Sequence, residues 1–339
     1  ASRGLGDVYK RQIPHHGVVA NDMTAPDIPG VVFAMSNRDA VSDARWWGGE
    51  PIWNTAERQG RKSAPMFWPG SEAPINGRRP SYWVPFNDRM PHADRVRQIL
   101  EWLALPEAER PSFLTLYFSD IDTAGHSYGP DSTQVAAAVA RVDASIGLLV
   151  DGVAKAGLAD RVHYVVISDH GMAPLSTERV IYVDDYMDVD TAQVVHWSPT
   201  LALAPKDGNV DALYKALAGK HPHLAVYRNH DIPEKFGLAD HPRVPAIYAV
   251  ADPGWMVTTH QAAQRWSEPG RRPPGGAHGY DPDSPLMRAL FIAAGPRIRE
   301  GLRVPAFKNI HVYDFMCAVL GLTPAKNDGD TTVTRDMLR

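Results

Sequence analysis

The stretch from Phe113 to Ile167 most constrains what this chain can fold into. Phe113-Leu-Thr-Leu-Tyr-Phe118 is an apolar run with the composition of a buried strand. It breaks into a polar loop that carries Asp122 and His126 and closes on Gly129-Pro130. Asp131-Ser-Thr then caps a long helix, in which Val135, Val139, Val142, Ile146, Leu149 and Val153 recur at steps of three and four, a single apolar stripe facing a sheet. Gly157 ends that helix, and His163-Tyr-Val-Val-Ile167 is a second strand. Strand, helix and strand in this order make a right-handed crossover, so the class is α/β with a sheet at least partly parallel. Polar groups on the loop just past a strand are where such sheets keep their chemistry.

The flanking sequence supplies further elements. Val31–Met35 and Ser63–Trp68 read as strands, Pro51 to Gly60 as a short helix, and Arg95–Leu103 as an amphipathic helix. A Pro/Gly/Arg-rich loop ends in Tyr82, Trp83 and Phe86. From about 174 to 276 the texture changes: short strands near 201–204, 224–227 and 246–250 surround one helix at 210–218, which fits a small α+β insertion. Ala289–Ala294 reads as a returning strand and Tyr313–Leu320 as a last helix. Ala1 to Gln12 has no periodicity, cap or signal-peptide core. Asp7-Val-Tyr-Lys-Arg-Gln12 resembles the translation of a transposase end sequence used in preparing sequencing libraries, so residues 1–12 are set aside as a non-native scar. The expectation is one catalytic domain over 13–339, truncated at its N-terminus.

Bulk properties exclude several classes. No run approaches the roughly 18 consecutive apolar residues of a membrane span. A net charge of −4, with no basic cluster interleaved with aromatics, argues against docked nucleic acid but leaves a nucleotide open as substrate. The single cysteine, Cys317, lies in an apolar run and reads as a small buried hydrophobe. With one thiol, any metal must be held by histidine and carboxylate.

Three segments offer such ligands: Asp122-x-x-x-His126, Asp169-His170 just past the second strand, and His278 between Gly276 and Gly279. Oxygen and nitrogen donors without sulfur suit Zn²⁺ or a similar divalent ion. Five ligands exceed what one tetrahedral ion needs once water and substrate are counted, so two ions are the better account.

Together, Asp122-Thr-Ala-Gly-His-Ser-Tyr-Gly-Pro130, Ser168-Asp-His-Gly-Met172 and Gly276-Ala-His-Gly-Tyr280 resemble the nucleotide pyrophosphatase/phosphodiesterase family of the alkaline-phosphatase superfamily. Pro14-His-His-Gly-Val-Val-Ala-Asn21, Glu50-Pro-Ile-Trp-Asn-Thr-Ala56 and Phe67-Trp-Pro-Gly-Ser71 extend the similarity from about residue 13 to the C-terminus. The resemblance implies an alkaline-phosphatase-like central, mostly parallel sheet flanked by helices. It implies that Asp122, His126 and His278 hold one zinc, and that Asp169 and His170 hold another with an upstream aspartate and the catalytic threonine. Asn21 matches the asparagine that helps hold the non-bridging phosphate oxygens, and Trp68 and Phe86 occupy positions that line the nucleoside pocket. A periplasmic or secreted location follows from the same resemblance; oligomeric state does not.

One departure matters. The family's threonine precedes the position of Asn21 by roughly twenty residues, at or before Ala1, and the aspartate lies earlier still. The expected activity is hydrolysis of nucleotide phosphodiesters and pyrophosphates through a phospho-threonine, with the chain as written inactive. The alternatives are a phosphomonoesterase, sulfatase or phosphonate hydrolase of the same superfamily, or a non-catalytic metal-binding domain. Cys317, followed by Ala-Val-Leu, lacks the Cys-x-Pro-x-Arg setting of a sulfatase.

Overall fold

The computed structural model describes residues 13–339; the suspected scar at 1–12 lies outside the described residues. After a single turn α1 (Ile13–His16), the hairpin β1 (Asp22–Thr24) and β2 (Val32–Ala34) leads through α2 (Arg38–Ser42) to α3 (Ile52–Arg58). Strand β3 (Ser63–Pro65) pairs in parallel with β4 (Phe113–Thr115), and α4 (His92–Leu103) runs between them in sequence. Next come α5 (Asp120–Tyr128), α6 (Thr133–Lys155) and β5 (Tyr164–Ile167). Helix α4 begins earlier than its apolar pattern suggests, because Pro91 supplies the extended residue at its N-cap.

Two expectations from sequence are corrected here. Asp122 and His126 lie on helix α5 rather than on a loop. Two carboxylates in the first turn, Asp120 and Asp122, favour the positive end of a helix, and Gly129 at φ 89° stops it. Helix α6 does form, with Ser132 accepting the Val135 amide, but Val139 is 47% exposed. The buried positions of α6 include Ala138 and Ser145, small residues that admit close packing and that an apolar count passes over.

Beyond β5 the chain makes an antiparallel sheet in the order β10–β11–β9–β8, from β8 (Ala192–His196), β9 (Thr200–Pro205), β10 (Leu224–Arg228) and β11 (Ile247–Ala251). Both faces of this sheet are covered. Leu201, Leu203, Ile247 and Ala249 join one cluster with Leu213 and Leu217 of α7 (Val210–Leu217). Their alternates Ala202, Tyr248 and Val250 join another with Phe236 and Val244. A strand buried on both sides needs no polar alternation, which accounts for runs such as Ile247-Tyr-Ala-Val-Ala251. At the start of this region, β6 (Ala173–Pro174) pairs with β13 (Gly276–Ala277), and β7 (Val180–Tyr182) pairs in parallel with β12 (Met256–Thr258). Helix α8 (His260–Gln264) lies between β12 and β13 in sequence. Strand β14 (Phe291–Ala294) returns antiparallel to β5, and α9 (Ile310–Leu320) ends at Gly321. Among the described residues no helix is long and apolar enough to cross a membrane.

The N-terminal core gathers Phe33, Trp46, Trp53, Tyr313 and Phe315, with Cys317 fully buried among them. Inside it the Thr55 hydroxyl donates to Glu50 Oε1 at 2.8 Å and lies 2.8 Å from the Tyr313 hydroxyl, which accepts the Ala325 amide at 3.1 Å. Tyr313→Phe strips a shared partner from two buried groups, and a loss of about 1–3 kcal/mol is expected in urea unfolding.

His16 is buried and accepts the Val18 amide on Nδ1. Burial foremost, then His241, His15 and Arg243, holds its pKa down to about 3. The unfolded chain takes up this proton near pH 6.5 and the folded chain only near 3. Stability therefore falls as pH drops through that window, by up to about 1.4 kcal/mol per pH unit. His16→Asn, which keeps an acceptor, is expected to flatten this acid limb when unfolding is followed against pH.

Candidate active site

Helix α5 and strand β13 approach backbone to backbone. His126 Nδ1 lies 3.0 Å from the Gly276 carbonyl, and the Gly275 amide donates to the His126 carbonyl at 2.8 Å. A Cβ on Gly276 would stand 2.6 Å from the Gly125 carbonyl oxygen, so no other residue fits without moving the helix. This contact sets His278 over α5. His126 Nε2 lies 3.4 Å and His278 Nε2 3.6 Å from the same Asp122 Oδ1. Donor atoms of all three residues fall within 4.8 Å of one another. With Nδ1 engaged at Gly276, His126 presents Nε2 inward.

Asp169 and His170 follow β5 as the sequence suggests, on its C-terminal side. His170 Nδ1 lies 2.9 Å from the Gly171 carbonyl, and its Nε2 lies 3.3 Å from Asp169 Oδ2. Its ring stacks on His278 at 3.4 Å and 11°, while His126 and His278 stand 4.9 Å apart. Burial, followed by the neighbouring His170 and His126, lowers the His278 pKa to about 2, so it stays neutral. Burial works to raise the Asp169 carboxyl, but the adjacent His170 overrides it and brings the value to about 2. Asp169 is thus ionised and His278 neutral, the protonation states metal ligands need.

Asp122 Oδ1 is buried and accepts no hydrogen bond from the described residues. A desolvated carboxylate oxygen without a donor is costly unless a cation faces it. One carboxylate and two imidazoles with no sulfur fit a divalent first-row ion that keeps an open position.

A cavity of about 1290 Å³ is lined by Asn21, His126, Asp169, His170 and His278. Trp68 and Phe86 do not line it. Trp68 packs against the N-terminal core. Phe86, 39% exposed, stands edge-on to Phe67 at 5.4 Å and 6.3 Å from Tyr117. Tyr117 is a residue that motif reading passes over. Burial, together with the nearby Asp169 and Asp122 carboxylates, raises its phenol above the usual range, which puts it between the ligands and the aromatic cluster. Its only sequence signal is a bulky aromatic at the end of a strand run.

A family model described as type I phosphodiesterase / nucleotide pyrophosphatase matches residues 11–281. A venom phosphodiesterase of Naja atra is 36% identical over 322 residues, 93% of this chain and 38% of the relative. Human ectonucleotide pyrophosphatase/phosphodiesterase family member 1 is 35% identical over 324 residues, 93% of this chain and 34% of the relative. The chain therefore spans little more than a third of these relatives. The structure of murine ectonucleotide pyrophosphatase/phosphodiesterase 5 superposes with a TM-score of 0.91 at 33% identity, covering 100% of this chain and 88% of that one. The same murine protein, as an inactive threonine-to-alanine variant in complex with AMP, also gives 0.91. The α/β, alkaline-phosphatase-like fold expected from the sequence is thereby established.

The glycine contact yields a prediction. Gly276→Ala is expected to lower the melting temperature and the divalent metal bound per chain, measured by mass spectrometry after metal loading. The control Gly147→Ala, where an added methyl meets nothing within 4 Å on α6, is expected to be neutral or stabilising by about 0.5–1 kcal/mol.

Proposed function

Because the chain belongs to the type I phosphodiesterase / nucleotide pyrophosphatase family, we propose that its protein hydrolyses phosphodiester and pyrophosphate bonds in nucleotides. The observation that carries this reading is the buried, undonated Asp122 Oδ1 facing two imidazole nitrogens beside the Asp169–His170 pair. In this proposal Asp122, His126 and His278 hold one zinc, and Asp169 and His170 contribute to a second. Residues 13–339 act as one catalytic domain, with about 174–276 inserted in it. The bound ions supply positive charge against the phosphoryl oxygens.

The chain's own residues do the rest. Asn21, on the shared cavity, donates its side-chain amide to a non-bridging phosphate oxygen, a neutral donor aimed where charge accumulates. The Phe86–Tyr117 cluster offers aromatic faces to the base; Trp68, implied for the same pocket, packs against the N-terminal core instead. His126 and His170 keep their outer nitrogens on backbone carbonyls, which fixes their tautomers.

The nucleophile in this reading is a threonine hydroxyl. Its oxygen bonds to phosphorus as the leaving oxygen departs, and water then cleaves the phospho-threonine. The inactive threonine-to-alanine murine relative supports that assignment. Among the described residues no threonine hydroxyl is hydrogen-bonded to Asp169 or His170. Relatives named as venom enzymes and ectoenzymes support a location outside the cytoplasm.

AMP titration by calorimetry tests the proposal. The zinc-loaded polypeptide is expected to carry about two ions and to bind AMP, with affinity falling about tenfold or more after chelation. Asp122→Asn is expected to remove about one ion and to weaken AMP likewise. AMP affinity indifferent to both changes would overturn the proposed function. Turnover of a nitrophenyl phosphodiester by residues 1–339 is expected to be negligible, and rapid turnover would sink the threonine assignment alone.

A further inference from the structure

One buried cation ties together the segments that carry the aromatic cluster. Arg95, in the first turn of α4, is 1% exposed. Its Nε donates to the Met90 carbonyl at 2.9 Å, Nη1 to the Tyr117 carbonyl at 2.8 Å and Nη2 to the Asp88 carbonyl at 2.7 Å. Its guanidinium lies 5.3 Å from the Phe67 ring and 5.8 Å from the Phe118 ring. Asp88 Oδ1, at 3.7 Å, is its carboxylate counter-charge.

These contacts converge on three pieces of chain that share no secondary structure. Met90 and Asp88 belong to the loop that carries Phe86; Tyr117 follows β4; Phe67 sits in a turn at φ 59°, which a bulky residue rarely adopts. The Phe86 end of the loop is held separately, its amide donating to Glu72 Oε1 at 3.1 Å. No residue but Arg has planar donors that reach three carbonyls at once between two rings. A lysine keeps the charge but loses the fork.

We infer that Arg95 is a positioning residue for base recognition: by pinning the 88–90 loop to the Tyr117 backbone, it fixes Phe86 against Tyr117, 6.3 Å away and tilted by 55°, as one aromatic wall on which a planar base can rest. This rests on the nucleotide reading above. Arg95 lies outside the cavity lined by Asn21 and the metal-ligand residues, so it leaves phosphate capture alone.

The test compares AMP with ribose 5-phosphate, which keeps the phosphate and lacks the base, on zinc-loaded polypeptide. Arg95→Lys is expected to weaken AMP by about tenfold while ribose 5-phosphate changes less than about twofold. Phe86→Leu is expected to do the same, and the double variant to lose no more than the larger single loss, because both act on one wall. Asp88→Asn keeps the Asp88 carbonyl and loosens the same loop, so it is expected to give a smaller shift in the same direction. It serves as the readout where circular dichroism shows Arg95→Lys unfolded. Equal losses for the two ligands, additive losses in the double variant, or an unchanged AMP preference in the folded variants overturn the inference. Wild-type polypeptide that binds AMP no better than ribose 5-phosphate overturns the nucleotide reading, and this inference with it.

Discussion

The site depends on a helix and a strand coming closer than side chains allow. A Cβ on Gly276 of β13 would meet the Gly125 carbonyl oxygen of α5 at 2.6 Å, and one on Gly125 would meet the Met172 side chain at 2.9 Å, so neither position has room for a methyl. Through that gap Asp122 and His126, spaced one helical turn apart, meet a histidine about 150 residues later in the chain. The same gap lets a backbone carbonyl take the outer nitrogen of His126, leaving the inner nitrogen for chemistry. Tight packing and ligand orientation are here one contact. Loosening it would displace both.

Much of this was legible in the sequence because it was written in short motifs. The five ligand candidates are named by Asp-x-x-x-His, Asp-His-Gly and a glycine-flanked histidine, and the structure gathers all five. Helices α3, α6 and α9 and strand β5 announce themselves by period and by terminating glycines. Other features left little trace. A two-residue ladder such as β6–β13 carries no periodicity. A nine-residue helix with Gly125 inside it reads as loop. Val139 satisfies the spacing rule yet faces solvent, because spacing reports a face and not what covers it. In the sequence Arg95 only opens an amphipathic helical stretch, and nothing there marks it as buried. Its burial is a property of the loop that folds over it.

Charge is handled differently in the two halves of the site. At Arg95 a buried cation is met by carbonyl dipoles, rings and one acid, so its requirement is fulfilled inside the chain. At Asp122 a buried oxygen is left undonated, and the imidazoles that face it are lone-pair donors themselves when neutral. The first arrangement is self-sufficient and fixes shape. In the proposed reading the second is completed by a cation, which is the difference between scaffold and site.

The β6–β13 ladder has a consequence for how sequences of this kind diversify. It fastens the two ends of the excursion side by side, Ala173 against Ala277, three residues past His170 and one before His278. The roughly hundred intervening residues are not passive: their strands pack with Ala173, Ala277 and Tyr280 in one cluster, and Arg243 donates to the Gly17, Arg45 and Trp46 carbonyls. The tolerant part is the length of their exposed turns, since closure entropy grows by only about 0.6 kcal/mol per doubling of loop length. A single residue added between Asp122 and His126 would instead turn one of them to the far side of its helix. Exposed turns of the excursion can therefore be remodelled while the chemical centre keeps a rigid register.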